Sequence, residues 1–394
     1  DPEAEILMFI TPEGNMTFPR ANQEGSMLWG ALRRAGYQVG LIDEEGFSAG
    51  EFEGARAFAL SRCAQLRPET LERVKDTLLP AGIHVHANAD LPGELNAYWQ
   101  SNANWVARMS DIFGVDVSAA DAAWNDGVSG GFNETYRDLR VKGVNPLGRL
   151  TPDFDETVLT WKILHGVQPV SGTTILAHDG LENTAPGSLA LHVREHANAK
   201  TAINTYAFGD TFGSSSATNL WDIRSDIVGA IYEDYFGIEP TIKVSGEGAA
   251  YVMSDYRVCR NGSLLLGLLN EHEGPVSVSV AAPDLLAGKT VELLSAGGII
   301  ETNSDGVLDI SLAGDEFQLL YVYDEDGGTA TSLVDSSPYR VWFEEAPQTV
   351  WPAPDDYQVK LGYDTRGEAL EVGVTLESLH EPRAVYGSSA ESVA

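Results

Sequence analysis

Two Asn-Glu pairs in this sequence imitate a signature of enzymes that cleave glycosidic bonds. Asn270-Glu271 follows an apolar run, and Asn133-Glu134 lies in a stretch rich in Gly, Asn and Asp. Retaining enzymes of that kind hold two carboxylic acids about 5–5.5 Å apart on one rigid scaffold. No eight-stranded α/β barrel, which takes about 200 residues or more, is encoded around either pair. We therefore interpret Asn270-Glu271 as a hairpin turn at a strand end and predict no catalytic residue.

Residues 192–196 spell H-x-x-E-H, a pattern that binds zinc when a helix places both histidines on one face. Here Leu189, Leu191 and Val193 alternate with other residues, and this period of two predicts a strand, which we place at a solvent-exposed edge. On a strand His192 and His196 would be about 13 Å apart, too far to bind one ion together. We predict no metal site.

Cys63, His84 and His86 are a third group of residues that could form a catalytic site. Cys63 follows a predicted strand at residues 55–61, and the two histidines alternate on the next strand, which we place near the carboxyl edge of a sheet. Ligands of open α/β folds bind at that edge, so an independent hydrolase with its site there is one hypothesis. A strained nucleophile turn needs small residues beside the cysteine, but Arg62 precedes it. We favour a buried or half-buried thiol and histidines that pack or lie at the surface.

Exposed tryptophan rings can stack on the C–H face of a sugar ring. Trp342 and Trp351, in a Pro-rich tail, are the two that we expect to contact a glycan.

An acidic stretch at residues 324–328 hints at a calcium loop. Position six of that loop would be Thr329 instead of Gly, and position twelve would be Asp335 instead of Glu, so the EF-hand reading fails. Looser binding of calcium by the acidic surface is an alternative that we leave open. The sequence also lacks both glycine-rich nucleotide motifs, and we expect no cofactor.

Charge and length further narrow the class of protein to which this chain can belong. The 394 residues include 25 Lys+Arg and 58 Asp+Glu, a formal net charge of −33, which excludes a nucleic-acid partner held by phosphate contacts. No run approaches the roughly 18 apolar residues of a membrane span. The two cysteines, Cys63 and Cys259, exclude a disulfide-built scaffold. The chain opens at Asp1 without an initiator Met or a leader, so we expect it to begin inside a longer product.

The elements that must position these residues change character along the chain. Residues 1–117 alternate strand and helix signals, which predicts a parallel sheet with helices on both faces, and this character returns at residues 188–236. Residues 118–185 read as an irregular excursion out of the sheet. Short strands between Gly-containing turns follow, as in an antiparallel sandwich. We predict domains at residues 1–240, 241–323 and 324–394, the last a linker with a β-rich tail.

Several local strings, in the order in which they occur, resemble the non-catalytic C-terminal half of family 42 glycoside hydrolases, the β-galactosidase family. Those similar to its trimerisation domain are LRRAGYQV at residues 32–39, the stretch 68–85, and IFGVDV at 112–117. Those similar to its small C-terminal sandwich are LLNEHEGPV at 268–276 and DLLAG at 284–288. The excursion and the tail do not match that family's pattern.

The resemblance implies a flavodoxin-like, class I glutamine-amidotransferase-like parallel-sheet domain followed by an antiparallel β-sandwich. It implies an accessory or oligomerisation portion of a secreted glycoside hydrolase, outside the cell or at its surface. The expected partners are a carbohydrate or a catalytic barrel on another domain or subunit, with further copies in a homo-oligomer. The alternative is a carbohydrate-binding or cell-surface structural protein with the same architecture.

Overall fold

The structure is a computed structural model, and it describes residues 4–10, 21–61, 63, 65–88, 92–94, 102, 104–120, 137–143, 145–160, 166–179, 188–206, 220–259, 263–294, 298–301, 304–324, 340–343, 361–364, 376–377 and 385–386. The chain divides into two compact units, Asp1–Val322 and Tyr323–Ala394. None of the helices in these ranges combines the length and the apolar character that crossing a bilayer requires.

The first unit begins with eleven strands. In chain order they are β1 (Ile6–Phe9), β2 (Val39–Ile42), β3 (Ala57–Ser61), β4 (His84–Asn88), β5 (Val115–Asp116), β6 (Arg137–Gly143), β7 (Asp155–Thr160), β8 (Gln168–Pro169), β9 (Thr173–Asp179), β10 (Ser188–Glu195) and β11 (Lys200–Asn204). Nine of them form one sheet in the order β2-β1-β3-β4-β11-β10-β9-β6-β7, and β5 pairs with β8 separately.

The first five strands in this order, β2-β1-β3-β4-β11, all run parallel, which confirms the predicted parallel sheet. From β11 to β7 every pairing is antiparallel. The predicted excursion out of the sheet at residues 118–185 is therefore wrong, because β6, β7 and β9 extend the same sheet. In β6 the apolar Leu139 and Val141 alternate with charged residues, a period of two that suits a strand.

Helices cover both faces of the parallel part. They are α1 (Ala21–Arg34), α2 (Glu44–Ala49), α3 (Pro68–Arg73) continued by a π-helix at Val74–Leu78, α4 (Trp105–Phe113), and α5 (Leu220–Gly229) continued by a π-helix at Ala230–Tyr235. Two separate apolar cores result. Small residues such as Ala59 and Ala202 make room for Tyr232 in one core, and Phe58 and Leu60 fill the other.

A glycine controls the tight join between α1 and β2. Gly36 has φ +89°, and a Cβ atom there would overlap the carbonyl group of Ile242. Only glycine adopts this conformation without strain and also permits such a close approach. Gly36 therefore lets the chain at Ile242, which leads into the strands described next, lie directly against the end of α1.

The first unit also contains a β-sandwich of two sheets. Its strands are β12 (Lys243–Ser245), β13 (Val252–Val258), β14 (Leu264–Asn270), β15 (Val276–Ala281), β16 (Thr290–Leu293), β17 (Ile299–Glu301), β18 (Val307–Leu312) and β19 (Phe317–Tyr323), with a 3₁₀-helix at Ala249–Tyr251 and a short helix α6 at Pro283–Leu286. One sheet has the order β12-β15-β18 and the other β13-β14-β19-β16-β17. Alternate residues of β14 are buried between the two sheets, as an antiparallel sandwich requires.

Two neighbouring arginines fasten α1 to the sandwich. Arg33 forms an ion pair with Asp255 on β13, and Arg34 forms one with Glu271, directly after β14. Both arginine side chains are almost fully buried, whereas the two carboxylates are partly exposed. These contacts join an α/β element to a β element inside one compact unit.

The second unit contains two described strand pairs. In the first, β20 (Arg340–Phe343) pairs antiparallel with β21 (Leu361–Asp364). In the second, β22 (Leu376–Glu377) pairs antiparallel with β23 (Val385–Tyr386). These strands lie in the tail that the sequence predicts to be rich in β-strands.

Candidate functional site

Cys63 lies just beyond the carboxyl end of β3 and is 1% exposed. Its Sγ atom lies 3.4 Å from the carbonyl oxygen of Ser61 and 3.8 Å from that of Phe9. The expectation of a buried thiol is confirmed, and neither Cys63 nor Cys259 forms a disulfide. Because a nucleophile must be reached by its substrate, this burial gives no support to a hydrolase centred on Cys63.

His84 begins β4, so it lies at the amino end of the parallel strands. The prediction that placed it near the carboxyl edge is wrong, since four residues of strand, about 13 Å, separate it from Asn88. Its Nδ1 atom accepts a hydrogen bond from the Lys200 amide at 3.0 Å, and its ring stacks on Phe236 with centroids 4.9 Å apart. Burial and the nearby positive charges of Lys200 and Arg56 lower the pKa of His84 to about 4.

His86 lies in the middle of β4 and is fully buried. Its Nδ1 atom lies 3.0 Å from the Tyr232 hydroxyl, and its Nε2 atom lies 2.7 Å from Oδ1 of Asn204. Because an amide oxygen only accepts, Nε2 carries the proton and Nδ1 accepts from the tyrosine. Burial lowers the pKa of His86 to about 4, so the ring is neutral near pH 7.

The hydrogen bonds continue from His86 across three parallel strands. Asn204 donates from Nδ2 to Oδ1 of Asn88 at 2.5 Å, and Asn88 donates from Nδ2 to Oγ of Ser61 at 3.2 Å. The register explains the contacts, because Asn88 pairs directly with Ser61 on β3 and with Asn204 on β11. We call the five residues from Tyr232 through His86, Asn204 and Asn88 to Ser61 the buried polar chain.

Sequence reasoning missed the buried polar chain apart from His86. A sequence signal was present, because Ser61, Asn88 and Asn204 each end a strand directly after a buried apolar residue. Both nitrogens of His86 are already engaged by neighbouring side chains, so the ring does not serve as a base for Cys63. The arrangement fixes and satisfies polar groups inside a core, which is a structural role.

The H-x-x-E-H segment does not form a metal site. His192 is buried, and its Nε2 atom lies 2.9 Å from the carbonyl oxygen of Ser171. His196 follows β10 and binds the carbonyl oxygen of Ile112 at 2.8 Å through Nε2. The prediction of a solvent-exposed strand edge is wrong, because β10 lies inside the sheet between β9 and β11. Across the described ranges no group of three or more potential ligand residues could hold a metal ion.

The interpretation of Asn270-Glu271 as a turn at a strand end is confirmed, but the predicted hairpin is wrong, because β14 and β15 belong to different sheets of the sandwich. Asn270 ends β14 and is fully buried, and its Nδ2 atom donates to the carbonyl oxygens of Gly274 and Ala313 at 3.1 and 2.6 Å. Its Oδ1 atom accepts from the His272 amide at 3.0 Å. These bonds fix the connection from β14 to β15 and tie it to the neighbouring turn at Ala313, and Glu271 is paired with Arg34.

Several other candidates lie outside the part that the structure describes. Trp351, the pair Asn133-Glu134 and most of the acidic stretch at residues 324–328 belong to that group. The backbone of Trp342 is part of β20, but its side chain is not described. Their predicted roles stay predictions.

Two of the cavities that described residues line lie on the first unit. One, of about 310 Å³, is lined by α1 and strands β13, β14 and β19, and Asp255 is the one carboxylate in its lining. The other, of about 650 Å³, lies beside β9 and β10, and Glu195 is the one carboxylate in its lining. Neither cavity therefore presents the pair of acids that a retaining glycosidase needs.

The sequence matches no protein-family model and no curated protein. It does match solved structures. β-Galactosidase from Bacillus circulans sp. alkalophilus is 14% identical with a TM-score of 0.58, over 82% of this chain and 42% of that chain. A catalytic mutant of a GH42 β-galactosidase from G. stearothermophilus is 12% identical with a TM-score of 0.54, over 81% of this chain and 40% of that chain. The chain thus spans about two fifths of each, and over that span its fold is similar to that of GH42 β-galactosidases.

Proposed function

We propose that this chain is an accessory portion of a glycoside hydrolase related to the family 42 β-galactosidases. It joins subunits and supports a catalytic barrel, while the reaction takes place on a barrel in another segment or another chain. The observation that carries this proposal is the fold match, in which about four fifths of this chain correspond to about two fifths of two β-galactosidases. We further propose a location outside the cell or at its surface.

The topology supports the finer assignment within that proposal. The parallel strands run β2-β1-β3-β4-β11, which is the order of flavodoxin-like sheets. An antiparallel sandwich follows in the chain, as in the non-catalytic half of the family that the sequence resembles. We therefore assign residues 1–240 to an amidotransferase-like domain enlarged by an antiparallel extension, and residues 241–323 to the small sandwich.

The side-chain chemistry supports the accessory role. The Asn-Glu pair that imitates a catalytic signature holds a turn and an ion pair, and each of the two cavities has a single carboxylate in its lining. Cys63 and His86 are both buried, and His86 is engaged by its neighbours.

The proposal is tested with the purified 394-residue chain. We expect no turnover of 4-nitrophenyl β-galactoside above the uncatalysed rate, and we expect light scattering to show an oligomer at micromolar concentration. Robust turnover that survives further purification would overturn the proposal. In that event Cys63→Ala distinguishes a hydrolase centred on Cys63, which would lose activity, from an enzyme with another site.

A further inference from the structure

The outer face of the five-stranded sandwich sheet carries an apolar groove beside α1. Alternate residues of three adjacent strands face outward, and the register aligns them in rows across β13, β14 and β19. The groove encloses about 310 Å³, within the size range of pockets that hold small organic ligands. Its apolar lining consists of Trp29, Met253, Leu265, Leu269, Phe317 and Leu319.

Gly267 creates the depth of this groove. It lies in the middle row, paired with Asp255 on one side and with Leu319 on the other. A Cβ atom at Gly267 would lie 3.1 Å from Cε2 of Phe317, so the phenyl ring lies close over bare backbone. The Phe317 side chain is nevertheless 54% exposed, which leaves an aromatic surface facing solvent. Any larger residue at position 267 would fill the space.

The polar end of the groove has an excess of positive charge. Asp255 is paired with Arg33, whose side chain is only 5% exposed and which also lies 5.5 Å from the Trp29 ring. Arg257 lies farther out, with Nη2 3.8 Å from Oδ2 of Asp255 and a side chain that is 58% exposed. Two guanidinium groups thus face one carboxylate, in a chain whose net charge is −33.

We propose that this groove binds a small amphiphilic anion, namely an aryl group that bears one carboxylate. The flat apolar body would replace water over Gly267, Phe317 and Trp29, which is favourable in proportion to the apolar area covered. The acid group would accept hydrogen bonds from Arg257, the guanidinium that the carboxylate of Asp255 does not balance. A free sugar suits the groove poorly, because its hydroxyl groups need polar partners and six of the lining side chains are apolar.

The test is calorimetric titration of the full chain with 2-naphthoate and with its neutral counterpart 2-naphthamide. We expect one naphthoate per chain. Arg257→Gln should weaken naphthoate binding about tenfold or more, since a hydrogen bond to a charged group is lost, and should leave binding of the amide nearly unchanged. Gly267→Leu should abolish binding of both compounds.

Two further variants keep the result independent of folding defects. Phe317→Ala removes a half-exposed ring, so the chain should fold normally and yet bind naphthoate at least fivefold more weakly. Leu41→Ala removes an apolar side chain of similar exposure on β2 and should change nothing. The proposal is overturned by the absence of saturable binding, by equal effects of Leu41→Ala and Phe317→Ala, or by equal weakening of acid and amide in Arg257→Gln. None of these outcomes depends on whether the chain cleaves a glycoside.

Discussion

Asn204 connects the two halves of the buried polar chain. It accepts from His86 and donates to Asn88, so both bonds depend on one amide group. Replacing it with Leu removes the hydrogen bonds that Asn204 makes with His86, Asn88 and the carbonyl oxygen of Tyr206, and a buried polar group that loses its hydrogen bond costs about 1–3 kcal/mol. We expect Asn204→Leu to lower the free energy of unfolding by about 2–4 kcal/mol in urea titrations.

Asn198 provides the matched control for that substitution. It lies in the exposed hairpin turn between β10 and β11, where its side chain donates to the carbonyl oxygen of Pro80 at 2.9 Å. Asn198→Ala should cost no more than about 1 kcal/mol. Equal losses in the two variants would contradict a special contribution of the buried polar chain.

The two histidines of β4 predict a pH dependence. Burial is the main cause that lowers the pKa values of His84 and His86 from 6.5 to about 4. The unfolded chain binds protons on both rings below about pH 6.5, but the folded chain does so only near pH 4. The stability that the neutral rings contribute is therefore complete above pH 6.5 and is lost as the pH falls toward 4.

His86→Gln isolates this effect, because glutamine does not titrate. Between pH 7 and pH 5 the urea midpoint of the unchanged chain should fall more steeply than that of His86→Gln. Parallel slopes would show that His86 binds its proton equally in the folded and unfolded states.

Residue roles were predictable where the local sequence was sufficient. The buried thiol at Cys63 and the turn at Asn270-Glu271 followed from their neighbours. The partners of His86 did not, since Asn204 and Tyr232 come from chain segments more than 100 residues away. Register between distant strands decides such contacts, and one sequence does not supply that register.

At the scale of elements, the ion pair between Arg34 and Glu271 links α1 to the sandwich. The Arg34 side chain is 3% exposed and that of Glu271 is 38% exposed. Burial and the nearby Arg224 lower the pKa of Arg34 to about 10, which still leaves it charged at neutral pH. A buried charge that loses its partner is costly, and the partial exposure of Glu271 reduces that cost.

We therefore expect Glu271→Gln to destabilise the first unit by about 1–2 kcal/mol, a range reduced for solvent screening. A double-mutant cycle with Arg34→Met should show a coupling energy between the two residues. The exposed pair of Lys75 and Asp111, at 2.7 Å, is the control and should show a coupling below about 1 kcal/mol. Equal coupling in both pairs would contradict a joining role for Arg34.

Elements with strong periodicity were predictable from the sequence. The parallel strands and six of the eight sandwich strands correspond to apolar runs between turn residues. The short strands β12 and β17 were missed, because three residues are too few to show a period. The antiparallel strands β6, β7 and β9 were missed because Gly, Asn and charged residues around them suggested irregular chain. Their structure is decided by pairing within the sheet, β9 with β10, β6 with β9 and β7 with β6.

At the scale of the whole molecule, the charge of −33 predicts that salt stabilises the fold. Compaction brings like charges together, and screening reduces their repulsion. The Debye length falls from about 30 Å at 0.01 M to about 8 Å at 0.15 M salt. The melting temperature should therefore rise by several degrees, mostly below about 0.3 M KCl. A rise that is linear up to molar concentration would indicate salt exclusion from the surface instead.

The pairing of β4 with β11 has a consequence for biosynthesis. These neighbours in the sheet are separated by 112 positions along the chain, from Asn88 to Lys200. A ribosome must deliver the intervening polypeptide before the fifth parallel strand exists, and closing so long a loop is slow. Until β11 has been synthesised, the edge of β4 that it covers therefore has no parallel neighbour.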